Sequence, residues 1–198
     1  VPENSIVLLY AGRISPEKNI PLLVDFMKIL ARDEKNDYRL LIAGAGPTEA
    51  WLREQIKGDL KDKIILLGHL DKELLADYYA NAGVFVHPNP KEPFGIAPLE
   101  AMASGVPVVA PNSGGILSYA TDENIWLREP LGEKFAAAIR EIIENPDNTK
   151  SKIANALETA RNNTWEVSTD RLLATYDKMY EDFQLRKKSF TLEDTETK

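Results

Sequence analysis

The chain of 198 residues carries 31 acidic against 24 basic side chains, a formal net charge of −7, and no cysteine. That balance leaves no basic excess to neutralise phosphates, which argues against nucleic acid as a non-specific partner, and the missing cysteine excludes a disulfide framework or a thiolate metal site. No apolar run approaches the roughly 20 residues of a membrane-spanning helix, and 43% hydrophobic with 28% charged residues suits one large globular domain or two small ones.

The first residues, Val-Pro-Glu-Asn-Ser, lack an initiator Met and the pattern of a signal peptide. They enter a strand at once, so the chain reads as a piece of a longer protein. Residues 6–10, Ile-Val-Leu-Leu-Tyr, are an unbroken apolar run, the mark of a strand covered on both faces. Gly12-Arg13 and Pro16-Glu17-Lys18-Asn19 make the loop after it. Leu22, Leu23, Phe26, Ile29 and Leu30 predict a helix over about 21–31. Residues 39–43 are the second strand, closed by Gly44-Ala45-Gly46-Pro47, and Thr48 is placed to cap a helix reaching about residue 57. Residues 64–67 are the third strand, ending at Gly68-His69. Asp71 then caps a helix through Leu74, Leu75, Tyr78 and Tyr79. Residues 84–86 are the fourth strand, 106–110 the fifth, and a weak sixth lies at 124–127. From Leu131 the pattern is helical only, with one stripe through Phe135, Ile139, Ile142 and Ile143 and another through Ile153, Ala156, Leu157 and Ala160. The last spans 165–183 with Leu172, Leu173, Tyr176 and Met179. Residues 186–198 are charged and polar with few anchors, so they are expected to fray, leaving 1–185 as one domain.

Strands alternating with helices predict an α/β fold, a parallel sheet of about six strands with helices on both faces and extra helices at the C-terminal end. In the common order 3-2-1-4-5-6 the first and fourth strands are neighbours, and ligands bind beyond their carboxyl ends. The loop after strand one holds Arg13 and Lys18. The loop after strand four opens Glu92-Pro93-Phe94-Gly95-Ile96-Ala97-Pro98-Leu99-Glu100, followed by a short helix ended at Gly105. Pro98 suits the first turn of that helix, where its missing N–H costs nothing. The amides of Phe94, Gly95, Ile96 and Ala97 are then free at the positive helix end, which is an anion site. Glu92 and Glu100 flank it as acceptors for paired hydroxyls. Amides for phosphate and carboxylates for hydroxyls suit a sugar nucleotide. Arg13 can fork two phosphate oxygens and Lys18 adds a mobile point charge. Taken singly, each of these four side chains is also what a solvated surface charge looks like, and the convergence of the two loops is what separates the readings.

Gly44-Ala45-Gly46-Pro47 reads either as a plain turn or as a wall of the cleft. It is no dinucleotide fingerprint, because the third glycine is missing. His69 reads as a loop residue whose backbone borders a nucleobase rather than as a catalytic base, and His87 as a structural hydrogen-bonding residue. Two distant histidines without an acidic cluster, and no Asp-x-Asp tripeptide, make no metal site. Gly114-Gly115 reads as a tight turn or a close approach of backbone to ligand. Trp51, Trp126, Trp165 and the tyrosines read as packing residues.

Gly12-Arg13…Glu17-Lys18, Gly44-Ala45-Gly46-Pro47, Gly68-His69, Glu92-Pro93-Phe94-Gly95…Glu100-Ala101-Met102-Ala103-Ser104-Gly105-Val106-Pro107-Val108-Val109-Ala110 and Gly114-Gly115 follow one another in an order that resembles the carboxy-terminal, donor-binding domain of retaining glycosyltransferases of family four (group 1), with the GT-B fold and a Rossmann-like sheet. The resemblance covers about residues 5–145. It implies a two-domain enzyme with a UDP-, GDP- or ADP-sugar in the interdomain cleft, transfer of a hexosyl group with retention of anomeric configuration, and neither cofactor nor bound metal. It implies Arg13 and Lys18 on the diphosphate and Glu92 on hydroxyls of the donor sugar. The amides of Phe94, Gly95, Ile96 and Ala97 would meet sugar and phosphate, and Glu100 the ribose hydroxyls. Gly68, His69 and Leu70 would border the base, with Gly12, Gly44 and Gly46 completing the donor site. The implied partners are a glycan, lipid or small-molecule acceptor and an amino-terminal acceptor domain, without which the chain is expected to bind nucleotide weakly and not to turn over. The implied location is cytoplasmic, with any peripheral membrane contact in the other half. Three positions depart from the family pattern: Asn19 stands where glycine is usual, Ser118 where Glu is frequent, and residues 121–127 lack a glycine. Asn tolerates a left-handed backbone, so the first loop is expected to keep its shape. Two other readings compete, a sugar-nucleotide epimerase of the same fold, for which no paired acid and base are present, and a nucleotide-binding module without chemistry.

Overall fold

The computed structural model describes residues 1–193. Among them six strands, β1 (Ile6–Ala11), β2 (Tyr38–Ala43), β3 (Ile64–Gly68), β4 (Val84–Val86), β5 (Val108–Pro111) and β6 (Trp126–Arg128), form a sheet in the order β3-β2-β1-β4-β5-β6. Every neighbouring pair is parallel. The helices are α1 (Pro21–Leu30), α2 (Glu49–Gln55), α3 (Lys72–Asn81), α4 (Ile96–Ala103), α5 (Gly132–Glu144), α6 (Pro146–Arg161) and α7 (Trp165–Glu193). This is the predicted doubly covered parallel sheet.

The alternation of side chains along a strand explains why the strands read as unbroken apolar runs. Leu8 and Tyr10 point into one core with Val84 and Val86, against α1 and α5, where Phe26 and Phe135 stack with centroids 6.2 Å apart. Leu9 and Ala11 point into the other with Phe85, against Tyr79 of α3, Leu99 and Met102 of α4, and Ala156 of α6. Each fully buried Leu or Phe stabilises the sheet by about 1.5–3 kcal/mol relative to exposure, so both faces are needed. Trp126 of the short β6 is fully buried and its indole N–H donates to Glu141 at 2.9 Å, which secures a strand that is weak in the sequence.

Asp71 caps α3 as expected, accepting from the Leu74 amide at 2.8 Å. Thr48 sits at the N-cap of α2 but makes no side-chain cap bond. Its backbone (φ −91°, ψ 1°) is not extended, and an N-cap side chain reaches the following amides from an extended residue.

The chain divides into two units, residues 1–160 and residues 161 onward, where the sequence reading runs one domain to 185. The second unit holds α7, none of whose residues 165–187 is buried. Trp165 is 83% exposed and Leu172, Tyr176, Met179 and Phe183 are each more than half exposed, so Trp165 does not act as the packing residue predicted for it. α7 also runs past residue 186, where fraying was expected to begin, because Gln184, Leu185, Arg186 and Lys187 are strong helix formers. Residues 194–198 of the predicted tail lie outside the described residues. No helix among the described residues is long and apolar enough to cross a membrane.

Candidate functional site

β1 and β4 are neighbours in mid-sheet, with Leu8 opposite Val84 and Leu9 opposite Phe85. Their carboxyl ends release the two loops that the sequence singles out. The first loop is laced to the end of β2: Gly12 N–H donates to Ala43 C=O at 2.9 Å and Ile14 N–H to Ala45 C=O at 3.1 Å. Asn19 takes a left-handed backbone (φ 52°, ψ 43°), as expected of an Asn in a glycine position. Its Nδ2 donates to Pro88 C=O at 3.0 Å, tying the first loop to the second.

The second loop turns into α4 at Gly95, whose φ of 93° a side-chain-bearing residue rarely adopts. Tyr119 clamps this turn, its hydroxyl donating to Gly95 C=O at 2.6 Å while Phe94 packs edge-on against its ring at 5.2 Å. Ile96 and Ala97 open the helix, so their amides have no helical acceptor, and Pro98 in the first turn has none to offer. Gly115 N–H donates to Glu92 C=O at 2.7 Å, and a Cβ on Gly115 would lie 1.7 Å from Pro93 O. The Gly114-Gly115 pair is therefore a close approach of backbone to backbone that pins residues 92–93.

Two cavities adjoin at this edge. One, of about 580 Å³, is lined by Gly12, Arg13, Gly44, His69, Leu70, Tyr79, Ile96, Ala97 and Glu100. The other, of about 430 Å³, is lined by Tyr10, Gly12, Arg13, Lys18, His87, Asn89, Glu92, Phe94, Gly95, Ile96 and Ala97. Arg13, Ile96 and Ala97 belong to both, so the guanidinium and the free helix amides stand at the junction. The structure thus gathers twelve of the fourteen candidates around these two cavities at one sheet edge, with Gly46 and Gly68 as supports that line neither of them. A Cβ on Gly46 would lie 2.3 Å from Ile14 O, and Gly68 closes β3 at φ 73° while its C=O accepts from Gly44 N–H at 2.7 Å.

Lys18 and Glu92, expected to hold different parts of one ligand, meet each other. Lys18 Nζ lies 2.7 Å from Glu92 Oε2, which also accepts from Asn89 Nδ2 at 3.0 Å. Burial alone would raise the Glu92 pKa, but these two donors and the Lys18 charge hold it below its ordinary value. Glu100 accepts from Tyr79 OH at 3.1 Å, and the Tyr10 hydroxyl donates to Arg13 C=O at 2.8 Å. Burial, then the charge of the neighbouring carboxylate, raises the pKa of Tyr79 and of Tyr10, so both remain hydrogen-bond donors. Sequence reading assigned these tyrosines and Tyr119 to packing and left out Asn89. The available signal was a hydroxyl-bearing ring where phenylalanine would have filled the same volume.

The structural hydrogen bond expected of the His87 side chain is not made at Nε2: the residue is 5% exposed and that nitrogen is buried with no hydrogen-bond partner. Burial lowers its pKa from the ordinary 6.5 to about 4, with Glu92 opposing and Lys18 adding to the shift. A depressed folded pKa means that the unfolded chain takes the proton first. The stability due to neutral His87 is therefore complete above about pH 6.5 and is lost as pH falls toward 4. At 1.36 kcal/mol per pH unit, urea unfolding should show a loss of about 2 kcal/mol between pH 7 and pH 5, absent in His87→Gln. Glu92 contributes only lower down, because its unfolded value is 4.5. An equal loss in both proteins would assign the acid lability elsewhere.

An open parallel sheet with free helix amides facing a cationic loop at its switch point defines a Rossmann-like nucleotide-binding domain. The chain belongs to the glycosyl transferases group 1 family, whose model matches residues 1–159. It is similar to the GDP-mannose-dependent alpha-(1-6)-phosphatidylinositol dimannoside mannosyltransferase of Mycobacterium tuberculosis, 31% identical over 174 residues, which cover 88% of this chain and 44% of that protein. Among solved structures it is similar to Anabaena Alr3699/HepE in complex with UDP, with a TM-score of 0.76 and 25% identity over 88% of this chain and 49% of the other. It is likewise similar to sucrose-phosphate synthase from Thermosynechococcus elongatus, with a TM-score of 0.76 and 28% identity over 92% and 47%. The chain spans about half the length of the curated relatives it matches.

Proposed function

We propose that this chain is the donor-binding half of a glycosyltransferase. It holds a nucleoside diphosphate sugar and, with an amino-terminal acceptor domain, transfers the sugar with retention of anomeric configuration. One observation carries the reading: two cavities meet where Arg13 and the Ile96 and Ala97 amides stand together. A diphosphate bridges a nucleoside and a sugar in the same linear way. The nucleoside occupies the cavity of His69 and Leu70, with its ribose hydroxyls on Glu100. The diphosphate lies across the junction, and the sugar enters the cavity of Glu92. Arg13, Lys18 and the helix amides stabilise the charge that develops on the leaving diphosphate, a role filled by preorganised donors. Since those groups supply the positive charge, the reading includes no bound metal. Lys18 is shared between Glu92 and the diphosphate, which couples sugar binding to phosphate binding.

The similar Anabaena structure holds UDP and the mycobacterial relative is named as GDP-mannose-dependent, which supports a nucleotide sugar and leaves the base to experiment. Calorimetric titration of the 198-residue chain with UDP, GDP and ADP is the test. One of them should bind saturably and at least about tenfold more tightly than its monophosphate, the worth of one charge-assisted contact. Failure of all three to bind would remove the donor-site reading.

A further inference from the structure

Among the described residues, His87 Nε2 is the one buried side-chain nitrogen or oxygen without a hydrogen-bond partner. An orphan of this kind is rare in a folded chain and calls for a cause. His87 follows β4 directly and its amide donates to Val109 C=O at 2.9 Å, so its backbone is fixed by the sheet. Its ring lines the smaller cavity beside Lys18, Asn89 and Glu92. Nε2 lies 3.8 Å from Glu92 Oε2, beyond hydrogen-bond reach. That oxygen already accepts from Lys18 and Asn89, so the loop has satisfied the carboxylate and left the imidazole.

The chemistry of the missing partner is narrow. The ring is uncharged at neutral pH, because burial lowers its pKa to about 4. A neutral nitrogen with a carboxylate next to it disfavours an anion. The cationic role beside Glu92 is already filled by Lys18. A hydroxyl fits, since it both donates and accepts and pairs with Nε2 in either tautomer. An oxygen at the usual separation of about 2.8 Å from each atom can bridge a gap of this width.

We propose that His87 is a specificity-determining residue whose Nε2 pairs with a hydroxyl of the transferred sugar, the same hydroxyl that the Glu92 carboxylate holds. The inference rests on the donor-site reading given above. Its consequence is selectivity for configuration at one carbon: an epimer that turns this hydroxyl away leaves the buried nitrogen unpaired, the situation in which a polar site rejects an analogue most strongly.

The test compares each nucleoside diphosphate with its own sugar, using UDP and UDP-glucose, GDP and GDP-mannose, and ADP and ADP-glucose. For the pair that binds, His87→Leu should weaken the nucleotide sugar about tenfold and the bare nucleoside diphosphate less than about twofold. His87→Gln, which restores a side-chain amide near the same place, should recover part of the difference. In the wild-type chain labelled with 15N-histidine, the Nε2 resonance should shift on adding the nucleotide sugar and stay in place with the nucleoside diphosphate, a readout that holds even where a variant folds poorly. Equal losses for both ligands, or an unmoved Nε2 resonance, would overturn the inference and leave the donor site standing. A wild-type chain that binds none of the six overturns the donor site and the inference with it.

Discussion

Arg13→Ala is expected to weaken nucleoside diphosphate binding by about one to two orders of magnitude and to leave the urea unfolding midpoint unchanged. The first half follows from position: Arg13 stands where the two cavities join, beside the amides that open α4. A hydrogen bond to a charged group contributes about 1.5–3 kcal/mol, and a guanidinium can make two to a diphosphate. The second half follows from what Arg13 lacks. It is exposed, and among the described residues its side chain takes part in none of the hydrogen bonds or ion pairs. Only its backbone carbonyl is used, by Tyr10, and alanine keeps that carbonyl. The substitution therefore removes the proposed ligand contact and, within the fold, only the attraction of an exposed charge for the exposed Glu17. Lys18→Ala is the informative contrast. It takes a donor from Glu92, whose side chain is 15% exposed, so it should lower stability as well as affinity. Calorimetry and urea denaturation on both variants separate the cases. An Arg13→Ala chain that binds as tightly as wild type would move the diphosphate away from the junction.

What could be read in advance was what depends on periodicity and topology. Unbroken apolar runs gave the sheet, and the order of its strands brought Arg13 and Lys18 to the edge that carries Gly95. What could not be read depends on where the far end of a side chain falls. Nothing in the spacing of Lys18 and Glu92, 74 residues apart in sequence, says that they meet at 2.7 Å rather than await a ligand separately. The hydroxyls of Tyr79 and Tyr119 reach Glu100 and Gly95 because their rings fill the core first; the pattern reports only the filling. The cap at Asp71 formed and that at Thr48 did not, since capping needs an extended backbone as well as the right oxygen. Gly114-Gly115 was open between a tight turn and a close approach of backbone to ligand, and the structure shows instead a close approach to the backbone at Pro93 O. The Gly-rich stretch after β2 was similarly open, and its contacts show what its first glycine is for.

Gly44→Ala is expected to destabilise the chain by about 3 kcal/mol or more, and Gly58→Ala by only about 1 kcal/mol. Both residues have positive φ, 144° and 56°, so both substitutions meet backbone strain. Gly58 has nothing within 4 Å of a built Cβ, whereas a Cβ on Gly44 would sit 1.9 Å from Gly12 O. That oxygen is backbone and cannot swing aside like a side chain. It belongs to the strand end where Gly12 N–H holds Ala43 C=O, and Gly44 N–H in turn holds Gly68 C=O at 2.7 Å. Relief of the clash must therefore part the ends of β1 and β2 or loosen the tie to β3. Either movement displaces Arg13, the next residue in the chain. The stability loss in urea should thus be accompanied by a fall in nucleoside diphosphate affinity, although Gly44 offers a ligand no side chain. Equal stability for the two variants would show that the loops after β1 and β2 have room to separate, and the close packing of Gly12 on Gly44 would then have no part in holding Arg13 at the junction.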